Sequence, residues 1–269
     1  MPSFKIITTA VIFIGFASPA HAQYMDTLKI VDQKMNDSSL KINYQNGKTK
    51  YKFSPKSLII PGVMIAYGLT ALENDGLKNI NKEFKDEVYA ENLHKKVSID
   101  NYLQFAPAAS VYALNAMGIK SKNNFRDRSM IFLMSNIILT GSVHSLKKIT
   151  AVQRPDGGAY TSFPSGHTAE AFANAELMRQ EYKDVSPWYG VAGYVMAATT
   201  GYLRMYNNKH WLSDVVAGAG VGIVSTKLAY WIYPAIKRKL FKDKNMNAMF
   251  IPFYQSGGGG LAFVYNFKH

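Results

Sequence analysis

The chain contains no cysteine, so disulfides and thiolate metal sites are excluded. Its six histidines form no tight cluster, and the sequence therefore offers no metal site. Acidic residues are scarce, with 18 Asp and Glu against 31 Lys and Arg, a formal net charge of +13. That excess suits anionic lipid head groups or other polyanions, although it also serves plain solubility. No block of Lys and Arg interleaves with aromatics as in a nucleic-acid groove. No internal repeat is visible, and the run Gly218, Gly220, Gly222 lacks the preceding strand and the turn that a dinucleotide loop requires.

What is present is apolar. Of 269 residues, 48% are hydrophobic, enough for a substantial core. Lys5, the apolar run Ile6 to Phe16 and Ala20-His21-Ala22 read as an export leader cut after Ala22, or, uncut, as an anchor. Removing Lys5 takes one charge from +13 and leaves +12. Residues 23–56 are expected to form a polar arm, 57–236 a helical domain, and 237–269 a basic segment with a β-hairpin.

The expected architecture is all-α, a bundle of about six core helices with that small C-terminal hairpin. An apolar helix is expected over Ser57–Leu72 and an amphipathic one over Glu73–Lys96, with Leu77, Ile80 and Phe84 as its buried stripe. Apolar helices follow near Ile99–Met117, Arg128–Lys147 and Trp188–Leu203. A more polar one covers Ser165–Tyr182, and a glycine-rich one covers Leu212–Ile236. Gly218, Gly220 and Gly222 let neighbouring helices come close. Strands are expected on either side of Gly257–Gly260.

Three short segments carry chemistry: Lys147–Pro155 (KKITAVQRP), Pro164–His167 (PSGH) and Arg204–Asp214 (RMYNNKHWLSD). Lys147 offers a point charge, and Arg154 offers a planar fork for two phosphate oxygens. Ser165 is a natural N-cap, Gly166 lets the backbone approach a ligand, and a helix start is an anion site. His167 stands beside it as a proton carrier. Arg204 adds a third cation, and Asp214 lies one helical turn after His210. A carboxylate there can accept the Nδ1 proton and leave Nε2 free to attack. His144 reads as a packed or supporting histidine. Asp156 reads as a turn residue with Gly157 and Gly158, and Tyr202, Tyr206 and Trp211 as cleft or core aromatics.

In order and interval, K-x6-RP, PSGH and R-x5-H-x3-D resemble the type 2 phosphatidic acid phosphatase superfamily. That group holds membrane lipid phosphatases, soluble acid phosphatases and vanadium haloperoxidases. The resemblance spans about residues 100 to 235. It implies that His210 is a nucleophile forming a phosphohistidine, that Asp214 orients it, and that His167 is the general acid and then base. Lys147, Arg154, Arg204, Ser165 and Gly166 would hold the phosphoryl oxygens, with no cofactor. Leu203 stands where the family commonly has Ser.

The implied substrate is a lipid phosphate or diphosphate: phosphatidic acid, phosphatidylglycerol phosphate, undecaprenyl diphosphate or a lipid A phosphate. A soluble acid phosphatase, a vanadate haloperoxidase and a non-catalytic envelope scaffold are the alternatives. The expected place is the cell envelope, membrane-associated, with the site facing the periplasm. Basic runs at Lys120–Arg128 and Lys237–Lys244 would then be cytoplasmic. Two signals oppose this. Three crossings after a leader would put Lys147 in the cytoplasm, and Glu170, Asn174, Glu176, Arg179 and Lys227 are costly beside lipid.

Overall fold

Helix starts in this chain are set by short polar side chains that take up free backbone N–H groups. Asn74 accepts from Leu77 N at 3.0 Å and Asn124 from Asp127 N at 2.8 Å. Ser165 accepts from Thr168 N at 3.4 Å, and Ser186, with Pro187 at the first helical position, from Trp188 N at 3.3 Å. The structure is a computed structural model and describes residues 9–15, 54–90, 95–240, 248–255 and 258–266. The polar arm expected over 23–56 lies outside the described residues up to residue 53.

Among the described residues the α-helices are α1 (Ile59–Thr70), α2 (Asp75–Lys85), α3 (Asp100–Leu103) and α4 (Ala106–Ala116). They continue with α5 (Phe125–Thr150), α6 (Gly166–Tyr182), α7 (Pro187–Tyr206) and α8 (Leu212–Leu240). One compact unit covers Lys50–Ile236 and holds the bundle. The other joins Met1–Thr49 to Lys237–His269. It contains β1 (Thr9–Gly15), β2 (Ala248–Gln255) and β3 (Gly258–Asn266), antiparallel in the order β1-β3-β2. Cleavage after Ala22 would remove β1 from that sheet.

Helix α6 is the axis of the bundle and is buried on nearly every face. Its alanines let neighbours close in, and its buried polar residues Asn174, Glu176 and Glu181 find partners inside the bundle. Glycines of α8 make close approaches to α6. A Cβ on Gly222 would lie 2.1 Å from Ala169 O, and one on Gly218 would lie 2.6 Å from Ser165 O.

Two expectations fail here. The helix expected over Ile99–Met117 is broken into α3 and α4, because Pro107 occupies the first turn of α4 and cannot continue a helix from before it. The stripe Leu77, Ile80, Phe84 on α2 is not buried: Ile80 is 40% and Phe84 38% exposed. The buried residue of α2 is Asn81, which donates to Ser213 Oγ at 2.9 Å and accepts from Ser213 N at 3.0 Å.

The bundle exposes large apolar side chains and buries charged ones among its apolar core. Leu133 and Ile137 on α5, and Trp188, Val191 and Val195 on α7, are exposed. Glu176 is fully buried and paired with Arg179 at 2.6 Å and Lys227 at 3.0 Å. Lys227 and Glu176 therefore face one another inside the bundle, which removes their cost as an objection to a lipid surrounding. Helices α5 and α8 are long and apolar enough to cross a membrane, and the bent pair Pro55–Thr70 with Asp75–Ala90, at 95°, qualifies as a third.

Candidate active site

The three motifs meet where α5 ends and α6 and α8 begin. Ser165 N donates to Asp214 O at 3.0 Å, fastening the cap of α6 to the first turn of α8. His210 precedes α8 by two residues and is buried, with Nδ1 3.5 Å from Asp214 Oδ2. That oxygen also accepts from Ser162 Oγ at 2.5 Å and from Trp211 N at 2.9 Å. Ser162 Oγ lies 3.5 Å from His210 Nδ1, so serine and carboxylate hold the same ring nitrogen. Asp214 is fully buried at a helix start, where the positive end of the helix favours its charge.

The charges converge on this histidine. Burial pushes the His210 imidazole below its ordinary value, Asp214 opposes that, and Arg204 and Lys147 add to it. His210 therefore stays neutral, the form that can act as a nucleophile. Arg154, Asp214 and Arg204 are in turn the charged groups acting on Lys147. The Lys147 ammonium donates to the carbonyl of Thr161, and to that of Ser162 at 3.4 Å.

Arg204 is buried and its Nη1 donates to Asp100 Oδ2 at 2.5 Å. Among the described residues, Nε of both Arg204 and Arg154 is buried without a hydrogen-bond partner. A donor aimed into such a place suits an incoming oxyanion, which would satisfy it. His167, in the first turn of α6, is half-buried and has its Nε2 3.0 Å from Asn101 Oδ1. Burial and then Arg204 lower His167 to about 4, with Asp100 opposing.

Ser165 is more enclosed than its motif suggests. It is fully buried, and its hydroxyl is committed to Thr168, with Oγ1 at 2.8 Å. Gly166 opens α6 and packs no closer than 3.8 Å, from its ideal Cβ, to Val143. His144 is exposed and donates through Nδ1 to Thr140 O at 2.9 Å in its own helix, so it neither packs nor supports the site. Asp156 does turn the chain, accepting from Gly158 N at 2.9 Å with Gly157 at φ 75°. It also pairs with Lys209 at 2.5 Å and so bolts the first motif to the third. Trp211 adds a second bolt, its Nε1 donating to Gln153 O at 3.0 Å. Tyr202 and Tyr206 stack with centroids 6.0 Å apart, and Tyr202 is exposed.

Sequence reasoning missed Ser162, Asp100 and Asn101. Ser162 stands two residues before Pro164, and its proximity to the second motif was the available signal. The other two were taken as part of one apolar helix. Among the described residues no group of three or more His, Asp or Glu is placed to hold a metal ion.

Comparison with known proteins agrees with the motif reading. Residues 128–238 match the profile of the PAP2 superfamily. A lipid A 1-phosphatase of Porphyromonas gingivalis is 41% identical over 150 residues, covering 55% of this chain and 33% of that protein. The chain thus spans about a third of that relative's length. The crystal structure of Aquifex aeolicus LpxE has a TM-score of 0.41 at 22% identity, covering 56% of this chain and 94% of the other. That of a transmembrane PAP2 type phosphatidylglycerolphosphate phosphatase from Bacillus subtilis has a TM-score of 0.41 at 16% identity, covering 69% and 99%. The motifs and the profile match together make residues 128–238 of this chain similar to the PAP2 superfamily.

Proposed function

We propose that this chain is a membrane-associated phosphatase that removes a phosphoryl group from a lipid phosphate or diphosphate without a metal, through a phosphohistidine. The observation that carries the reading is the buried His210, held at Nδ1 by Asp214 and Ser162 and acted on by the Arg204 and Lys147 charges. Nε2 of His210 attacks phosphorus as the bond to the leaving oxygen breaks, and His167 gives that oxygen a proton. Water then attacks the phosphohistidine, His167 takes the proton back, and phosphate leaves. Lys147, Arg154 and Arg204 offset the charge on the three equatorial oxygens, the role a metal ion plays elsewhere. His167, neutral in the empty site, is driven to accept a proton when a phosphate dianion binds beside it.

The P. gingivalis relative acts on the 1-phosphate of lipid A by its name, and that makes a lipid A phosphate the leading substrate here. The apolar exterior of α5 and α7 and the two long apolar helices support a lipid setting over a soluble acid phosphatase. The basic residues Lys120, Lys122 and Arg126 precede or open α5, and Lys237, Arg238 and Lys239 close α8, both at the end away from the motifs. That distribution favours a periplasmic site.

Phosphate release from purified lipids, with and without chelator, tests the reading. We expect release from a lipid A phosphate at equal rates in both conditions. Release that needs added divalent metal, or none from any lipid phosphate, would overturn it.

A further inference from the structure

The segment between α2 and α4 is stitched to α6 and α7 at four places. Asn207, at the end of α7, accepts from Val97 N at 2.9 Å and donates to Val97 O at 2.7 Å. Asp100 pairs with Arg204, and Asn101 meets His167. Asn174 of α6 then donates to Gln104 O at 2.9 Å. Two consecutive residues thus engage two different groups of the proposed machinery. Asp100 is 1% exposed and Arg204 7%, a burial that permits neither to be a solvated surface charge.

The chemistry of each contact is directional. A guanidinium is a flat fork, so anchoring Nη1 fixes its plane and leaves the Nε edge, which is the unpartnered one here, to face an oxyanion. An anion that sought Nη1 would meet the Asp100 carboxylate instead. Asn101 Oδ1 can only accept, so it holds the His167 ring with a hydrogen on Nε2.

We infer that Asp100 and Asn101 are positioning residues of this site, a clasp outside the three motifs in which Asp100 aims Arg204 at the phosphoryl group and Asn101 holds His167 as proton donor. This rests on the phosphatase reading above. The full chain in detergent is assayed on a long-chain alkyl phosphate and on a nitrophenyl phosphate bearing the same chain, with vanadate as a stand-in for the transferring phosphoryl group. An alkoxide leaves only with a proton, whereas a nitrophenolate leaves without one. Asn101→Ala should therefore lower kcat/KM, which reports phosphohistidine formation alone, at least about tenfold on the alkyl ester while changing kcat/KM on the aryl ester and vanadate inhibition by less than about threefold. Asp100→Ala should weaken vanadate inhibition at least about tenfold, and Asp100→Asn, which keeps the shape and one acceptor oxygen, should fall between it and the parent. If Asp100→Ala does not fold, Asp100→Asn decides the matter alone. An equal fall in kcat/KM on both esters in Asn101→Ala, or vanadate bound as tightly by the Asp100 variants as by the parent, would overturn the clasp. No phosphate release by the parent from either ester would instead overturn the phosphatase reading, and the clasp with it.

Discussion

The amide of Ser165 donates to the carbonyl of Asp214 at 3.0 Å, so the second and third motifs are joined through backbone rather than through side chains. A backbone bond of this kind survives changes of side chain and sets the distance between the start of α6 and the start of α8. It forms only because α8 passes close at Gly218.

Gly218→Ala should therefore damage the site from a distance. Its Cβ would sit 2.6 Å from Ser165 O, a backbone atom that cannot swing away. Overpacking of this type costs about 1–3 kcal/mol. We expect a lower melting temperature and a loss of phosphate release larger than the change in stability alone explains. Parent-like activity and stability would show that the two helix starts are not rigidly spaced.

The Ser162–Asp214 bond makes a graded series. Asp214→Asn should reduce kcat by roughly 10²–10⁴, since an amide in place of the carboxylate can present the wrong tautomer of His210. Ser162→Ala removes one hydrogen bond to a charged group, about 1.5–3 kcal/mol, and should cost on the order of tenfold to a hundredfold. The comparison is made by steady-state kinetics on one lipid phosphate. An Ser162→Ala loss equal to that of Asp214→Asn would mean that the serine, not the carboxylate, orients the ring.

Much of this site was legible in the sequence because its groups lie on three short, ordered segments. Lys147, Arg154, His167, Arg204, His210 and Asp214 stand at one end of the bundle, where helix periodicity and N-cap chemistry put them. The all-α class was equally readable, since apolar runs of helical length dominate the chain. What the sequence hid is long-range. Asp100 reaches Arg204 across 104 residues, and no local pattern announces such a pair. Pro107 did mark the helix break that frees Asp100 and Asn101, but the apolar residues after it masked the signal. Leu77, Ile80 and Phe84 misled for a related reason. Their spacing defines an apolar face, and spacing alone does not say whether that face meets protein or lipid.

The two histidines also predict how stability depends on pH. Both are held below the ordinary value of 6.5, His167 to about 4, so the folded chain takes up protons less readily than the unfolded one. As pH falls below roughly 6.5 the unfolded state gains protons first and stability drops, the His167 contribution being lost until about pH 4 is reached. The melting temperature in detergent should therefore decline over this window, and the double variant His167→Gln, His210→Gln should decline less steeply. Equal slopes for the two proteins would remove the histidines from the account.

The central claim is that His210 carries the phosphoryl group. The parent chain is mixed briefly with a lipid phosphate labelled in its phosphoryl group, quenched in alkali, and the labelled residue is mapped. The account predicts an alkali-stable, acid-labile label on His210 that is absent from His210→Ala, which releases no phosphate. Phosphate release by His210→Ala at the parent rate, or a label on any other residue, would contradict it.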